Sequence, residues 1–271
     1  MLKDIIEFYR VKNWIKIVGL AVIGVTINYT NLNTSALAIL QSVFLLSFLF
    51  AYHDLNDYKV ERKKYPIGKL VEKSQHKKVI ILIILPLILS LVVLLINFSL
   101  RYMFFYIIFL ILAIGYSAPK IRLGDVPFVD VATVVSIFLL IFIQSYFYVN
   151  IQPNEKFYFF VAWIILFYIP LEILHQLSHY KKELNSMVLF LKKKNSVKIL
   201  RYPIILTVLV GIVIYLQSQT LQYYSLIMIM FAIIRFAMIR KVGKNVNFEK
   251  YRHGMGGLFE GLSYIVLNLI G

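Results

Sequence analysis

The chain alternates between long apolar runs and short polar segments from one end to the other. A helix needs roughly 17–25 apolar residues to cross a bilayer, and runs of about this length recur throughout the sequence. They predict nine transmembrane helices, at about residues 14–31, 35–52, 79–98, 102–118, 127–149, 157–175, 202–218, 222–239 and 256–270. The last run is the shortest of the nine. The pattern therefore predicts an all-α, polytopic membrane protein.

Composition and charge agree with this class. The chain is 60% hydrophobic and 15% charged, which is not the composition of a soluble globular protein. It contains no cysteine, which excludes disulfides, thiolate metal ligands and thiol nucleophiles.

The positive charge of the chain is distributed unequally between the two sides of the predicted membrane. All but Arg101 and Lys156 of the 29 Lys and Arg residues are assigned to one side, which predicts that this side and the N-terminus are cytoplasmic. The net charge of +16 thus reflects orientation in the cell membrane and attraction to anionic membrane lipids, and not nucleic-acid binding.

A polar segment occurs twice, at the cytoplasmic ends of the second and sixth predicted spans. HDLNDYKVE at residues 53–61 and HQLSHYKKE at residues 175–183 align as H-x-L-x-x-Y-K-x-E. If the first segment continues as a helix, at about 100° per residue, then His53, Asp57 and Glu61 lie on one face and Asp54 lies beside them.

The second copy repeats this spacing with different polar side chains. His175, His179 and Glu183 follow one another at four-residue intervals, Gln176 takes the place of an acid, and Glu172 lies one turn earlier within an apolar run. An ionisable side chain at membrane depth is costly unless it is paired, coordinated or exposed to a wet cavity. This cost makes a functional role the favoured interpretation of the segment.

Carboxylates at one-turn spacing on facing helices are suited to holding a hard cation. Mg²⁺ usually keeps several waters and is bound by a few carboxylates together with substrate phosphates, and nearby Lys and Arg neutralise the remaining phosphate charge. The duplication favours this role over a solvated helix end stabilised by i,i+4 ion pairs. We therefore predict that Asp54, Asp57 and Glu61 hold one Mg²⁺ ion firmly, and that Glu183, together with Glu172, holds a second ion loosely or not at all.

The first polar segment and the residues that follow it resemble a motif of a known family. The stretch HDLNDYKVERKKYPIGK resembles the first aspartate-rich motif of the UbiA superfamily of intramembrane prenyltransferases, N-x-x-x-D-x-x-x-D followed by a Pro and a basic residue. His53 stands at the Asn, Asp57 at the first Asp and Glu61 at the second, while Asp54 matches a common additional Asp.

Three further stretches carry the same resemblance. The second family motif, D-x-x-D-x-x-x-D, aligns with Gln176, His179 and Glu183, so that each of its three Asp is replaced. YSAPK at residues 116–120 matches a Y-x-x-x-K motif and is followed by a basic residue, and RVKNW at residues 10–14 resembles the entry to the first helix.

The resemblance implies nine transmembrane helices in a bundle around a central cavity, as a single domain over residues 1–271. The repeated segment suggests a pseudo-repeat of about residues 35–149 and 157–271. The implied activity is Mg²⁺-assisted transfer of an isoprenyl group from a prenyl diphosphate to a lipophilic acceptor. The catalytic candidates are Asp57, Glu61, Lys120, His179 and Glu183. The substrate-binding candidates are Arg10, Asn13, His53, Tyr116, Arg122, Glu172, His175 and Gln176.

Other functions remain open at this point. A divergent relative could be a terpene cyclase, a transferase acting on another polyprenyl phosphate, or a non-catalytic lipid-binding subunit. Glu172, His175, His179 and His53 could instead ligate a transition metal, and a parallel repeat also occurs in transporters.

Three polar features outside these motifs have simpler interpretations. Asp125 and Asp130 flank the start of the fifth span, where a role at a helix N-terminus is favoured. Glu260 lies between glycines in the last span, either buried or at the interface. KKKNS at residues 192–196 is interpreted as a solvated loop attracted to lipid headgroups.

Overall fold

The structure is a computed structural model, and it describes residues 7–28, 31–61, 76–150, 152–178, 187–241 and 257–270. Within these ranges the regular structure is entirely helical. The α-helices are α1 (Val11–Thr26), α2 (Leu32–Glu61), α3 (His76–Ile96), α4 (Leu100–Ser117), α5 (Val129–Val149), α6 (Glu155–Ser178), α7 (Met187–Ile199), α8 (Arg201–Gln217), α9 (Gln222–Lys241) and α10 (Leu258–Ile270).

Seven segments in the described part of the chain are long and apolar enough to cross a membrane. They lie in α2, α3, α4, α5, α6, the end of α7 with α8, and α9. Two shorter apolar helices, Trp14–Thr26 within α1 and Leu258–Ile270, accompany them. The prediction of an all-α protein with multiple membrane helices is confirmed, and the count of nine spans stays a prediction.

The chain forms two compact units, and the first comprises residues 1–123 and 140–152. In this unit α2 packs against α1, α3 and α4. Near the C-terminal end of α2, Phe48 and Ala51 form a buried cluster with Phe8, Val79 and Ile83. This packing holds the turn before α1 and the N-terminal part of α3 against the polar end of α2.

The second unit comprises residues 124–139 and 153–271. Here α6 packs against α7 and α8, α8 packs against α9, and α9 packs against α10. The buried core joins the N-terminal half of α5 to the C-terminal half of α6, through Val131 and Val135 on one side and Ile173, Leu174 and Leu177 on the other. The single-domain organisation and the pseudo-repeat stay predictions.

The interpretation of residues 192–196 as a loop is wrong. They lie within α7, which is interrupted at Lys192, where the backbone is non-helical (φ 63°, ψ 146°). Ser196 is buried and donates a hydrogen bond to the carbonyl of Lys192, 3.2 Å away. The three lysines conceal this helix in the sequence because they separate its apolar contacts, which come from Met187, Val188 and Leu191 before the basic run and from Val197 and Ile199 after it.

Candidate functional site

Two buried acids at the C-terminal end of α2 each contact an arginine of the first unit. The Asp54 side chain is 0% exposed, and its Oδ1 accepts a hydrogen bond from Arg10 Nη1 at 2.7 Å. The Asp57 side chain is 7% exposed, and its Oδ1 accepts one from Arg122 Nη2 at 3.2 Å. Because an unpaired buried carboxylate is strongly disfavoured, each arginine provides a counterion for the buried acid that it contacts.

Both arginines have an unusual backbone conformation. Arg10, just before α1, has φ 50°, and Arg122, shortly after α4, has φ 38°. Only two other non-glycine residues in the described part of the chain have positive φ. Such conformations are costly for a residue with a Cβ and concentrate at functional sites. The local backbone therefore turns sharply at both positions that present a guanidinium to α2.

His53 connects Asp57 to Ser117 at the end of α4. Its Nε2 lies 3.3 Å from Asp57 Oδ2, and its Nδ1 lies 2.9 Å from the Ser117 hydroxyl oxygen. Its ring centroid is 5.6 Å from that of Tyr116. Asp57 is thus held by an arginine on one oxygen and by an imidazole near the other. The predicted site residues His53, Asp57, Tyr116 and Arg122 lie together.

These side chains suit a metal-bound diphosphate. Carboxylate oxygens are the ligands that Mg²⁺ prefers, and guanidinium groups match the geometry of phosphate oxygens. The described residues contain no group of three His, Cys, Asp or Glu side chains placed to hold a metal ion. Asp54 and Asp57 therefore fit a Mg²⁺ ion only if phosphate, water or further side chains complete its coordination, which is the usual arrangement for this metal.

Several predicted site residues are only partly described or lie elsewhere. Glu61 and Asn13 lie in α2 and α1, but their side chains are outside the described part. His179 and Glu183 fall entirely outside the described residues. Lys120 is exposed in the turn after α4. On α6, Glu172 and His175 are partly buried.

Gln176 contacts an acid that sequence analysis did not place in the site. Its Nε2 donates a hydrogen bond to Asp130 Oδ2 at 2.6 Å. Asp130 Oδ1 also accepts a hydrogen bond from the backbone N–H of Val131 at 2.6 Å. The predicted helix N-terminal role of Asp130 is therefore correct, and the contact with α6 adds a second role. The sequence carries no spacing that would indicate this contact.

A buried ion pair in the second unit was also missed. Glu260 accepts hydrogen bonds from Trp163 Nε1 at 2.7 Å, from Tyr264 Oη at 3.1 Å and from the guanidinium of Arg235. The Arg235 guanidinium carbon lies 4.3 Å from the centre of the Phe167 ring. Arg235, one of the basic residues assigned to the cytoplasmic side, is buried within α9. The buried interpretation of Glu260 is the correct one, and the pair connects α6, α9 and α10.

Comparison with known proteins tests the fold. No family model matches the sequence, and no curated protein matches it. A UbiA homolog from Archaeoglobus fulgidus bound to GPP and Mg²⁺ has a TM-score of 0.77 and 17% identity, over 99% of this chain and 100% of that one. The same homolog bound to DMAPP and Mg²⁺ has a TM-score of 0.77 and 17% identity, over 98% and 99%.

A structure from a study of digeranylgeranylglyceryl phosphate synthase in membranes also matches. Its TM-score is 0.70 and its identity 17%, over 100% of this chain and 99% of that one. At this level of identity the likeness concerns the fold and not the individual site residues. This chain has the all-helical fold of these UbiA homologs, as the resemblance predicted, and the count of nine membrane helices stays a prediction.

Proposed function

We propose that this chain is a membrane prenyltransferase that moves an isoprenyl group from a prenyl diphosphate to a lipophilic acceptor with the help of Mg²⁺. The observation that carries the proposal is the pairing of two buried acids, Asp54 and Asp57, with two arginines at the polar end of an apolar helix. The chain also shares its fold with a protein whose structures contain GPP or DMAPP together with Mg²⁺.

The arginines explain how a diphosphate could leave. In the proposed reaction the bond between the prenyl carbon and the diphosphate oxygen breaks, and both electrons go to the diphosphate. A group with this much developing charge leaves readily only when fixed positive groups stabilise it. A guanidinium carries five N–H donors, so that Arg10 and Arg122 can each contact a carboxylate and a phosphate oxygen at the same time.

The acids hold the other component of the substrate. Asp54 and Asp57 would bind Mg²⁺, and Glu61 and Glu183 are the further ligands that the sequence suggests. When bound, Mg²⁺ supplies Lewis-acid stabilisation of the leaving diphosphate. His53 positions Asp57 through its contact with Oδ2 and is itself positioned by Ser117.

The side chains around the proposed site favour the formation of an allylic cation and protect it from hydrolysis. Tyr116 lies beside His53, and the Phe50 ring centre is 5.8 Å from the guanidinium carbon of Arg10. The faces of aromatic rings attract positive charge, and the apolar helices around the site limit access of water. In the proposed mechanism the acceptor then attacks the prenyl carbon that the diphosphate has left, and the proton that the acceptor loses passes to the released diphosphate or to water.

The remaining assignments belong to the same proposal. His179 would donate a hydrogen bond to the diphosphate, Lys120 would neutralise its charge, and Glu172 and His175 would contact the substrate. The unequal distribution of Lys and Arg supports a site and an N-terminus on the cytoplasmic side of the cell membrane. The identity of the acceptor is a separate question, because apolar cavity side chains select it.

Product analysis tests the proposed reaction. The purified chain in lipid nanodiscs is incubated with radiolabelled geranyl diphosphate, Mg²⁺ and a membrane lipid extract, and products are identified by chromatography and mass spectrometry. We expect a labelled lipid whose mass exceeds that of its acceptor by one geranyl group, and no such product when EDTA is added. A labelled hydrocarbon formed without extract would identify a cyclase instead, and no turnover of any prenyl diphosphate tried would contradict the proposal.

A further inference from the structure

A membrane helix of the second unit carries three exposed basic side chains near its start. The end of α7 and α8 together form the segment Lys194–Gln217, which is the least buried of the seven candidate membrane spans in the described residues. Lys194, Lys198 and Arg201 are all exposed. They therefore lie where this segment enters the membrane.

One side of the segment packs against the rest of the second unit. Its buried residues recur every three or four positions and so form one stripe along the helix. They are Ser196, Leu200, Ile204, Thr207 and Gly211. Leu200 and Ile204 belong to the buried core that includes α6, and α8 also packs against α9. This stripe therefore faces protein.

The opposite side of the segment is exposed, and it changes from basic to apolar along the helix. Its residues, at spacings of three, four or seven positions, include Lys194, Lys198, Arg201, Ile205, Leu209 and Leu216. Exposed apolar side chains of a membrane helix contact lipid chains. Because the three basic residues continue the same stripe, which we call the basic stripe, they face the lipid headgroups next to those chains.

The basic stripe has no counterion within the described part of the chain. Among the described residues, none of its three members forms an ion pair, and neither α7 nor α8 contains an Asp or Glu. Tyr202, next to Arg201, is 68% exposed, and tyrosine is enriched where a membrane meets water. The charge and depth of the stripe therefore suit an anionic group at the membrane surface.

We propose that Lys194, Lys198 and Arg201 bind the headgroup of an anionic phospholipid. Their N–H donors match phosphate oxygens, and the acyl chains of the lipid lie along Ile205 and Leu209. Phosphatidylcholine also offers a phosphate, but its choline cancels the charge, so that the stripe distinguishes the two lipids. The inference goes beyond the proposed function, because it concerns a lipid partner of the chain and requires no prenyl transfer.

Fluorescence quenching by brominated lipids tests the inference. The chain contains no cysteine, so that one introduced cysteine can carry a fluorophore. Ile205→Cys places the label one turn beyond Arg201, and Leu216→Cys places it roughly 16 Å further along the same stripe. The labelled full-length chain is reconstituted into phosphatidylcholine vesicles that contain a small fraction of brominated phosphatidylglycerol or, for comparison, brominated phosphatidylcholine.

We expect local enrichment of the anionic lipid at the first label only. At low salt, brominated phosphatidylglycerol should be enriched about fivefold over brominated phosphatidylcholine next to the Ile205→Cys label, and the two lipids should quench the Leu216→Cys label equally. The changes Lys194→Gln, Lys198→Gln and Arg201→Gln together should abolish the enrichment. The matched control, which changes the exposed Lys16, Lys77 and Lys78 of the first unit to Gln, should retain it.

Three results would overturn the inference. Equal quenching of the Ile205→Cys label by the two lipids would do so without any change in the basic stripe, so the test does not depend on how the triple variant folds. Enrichment that persists in the folded triple variant, or that is lost equally in the matched control, would also overturn it. Because no prenyl substrate is present, enrichment in a chain that never transfers a prenyl group would contradict only the proposed function.

Discussion

The buried pair of Glu260 and Arg235 allows a quantitative prediction about stability. Glu260→Gln removes the negative charge and leaves the volume nearly unchanged. The new amide oxygen can still accept from Trp163 and Tyr264, so the main loss is the counterion of a guanidinium that is only 4% exposed. Leaving one member of a buried ion pair without its partner typically costs about 3–5 kcal/mol, and we expect a loss of unfolding free energy of this size.

Unfolding in mixed detergent micelles, followed by circular dichroism, measures this loss. Glu155→Gln is the matched control, because Glu155 is exposed and, among the described residues, its carboxylate forms a hydrogen bond only with the hydroxyl of Ser218; it should change stability by less than about 0.5 kcal/mol. Adding Arg235→Met to Glu260→Gln removes the uncompensated charge and should restore at least about 2 kcal/mol. If Glu260→Gln is as stable as wild type, the ion pair does not stabilise the second unit as argued.

Two further predictions concern the first unit. Gly24→Ala should destabilise it by about 1–3 kcal/mol, because a Cβ there would lie 2.9 Å from the backbone carbonyl oxygen of Phe142. Gly19→Ala on the same helix meets nothing within 4 Å and should be neutral or slightly stabilising in the same melting assay, and equal effects would refute the packing argument. Arg122→Lys should raise KM for geranyl diphosphate about tenfold, because an ammonium lacks the planar fork of donors. The exposed control Arg201→Lys should not change KM. An unchanged KM in Arg122→Lys would exclude a role for the planar arrangement of N–H donors in the Arg122 guanidinium.

The membrane helices could be predicted because the bilayer sets their length. The run at residues 79–98 corresponds to α3 (His76–Ile96), and the run at 102–118 corresponds to α4 (Leu100–Ser117). No such constraint applies to α7, which is short and rich in lysine. Its packing depends on a few apolar residues on either side of the basic run, and the lysines between them obscure the apolar pattern in the sequence.

Only the part of the candidate site that lies on one helix could be predicted from the sequence. Helical periodicity placed Asp54 and Asp57 on one face, and the structure agrees. The arginines that contact these acids come from two distant turns with positive φ, which local propensity disfavours and only tertiary packing can stabilise. The Asp130–Gln176 contact likewise joins residues 46 positions apart on two consecutive helices, so the sequence alone indicated only the helix N-terminal role of Asp130.

The central claim is that the acids of α2 are required for the departure of diphosphate, and Asp57→Asn tests it most directly. The purified variant and the wild-type chain, both in lipid nanodiscs, are supplied with geranyl diphosphate, Mg²⁺ and a membrane lipid extract, and released diphosphate is measured over time. Asp125→Asn controls for the loss of an exposed acid. We expect Asp57→Asn to release diphosphate at least about a hundredfold more slowly than wild type, because one mutation removes a proposed metal ligand and the partner of Arg122. Release at the wild-type rate would contradict the account.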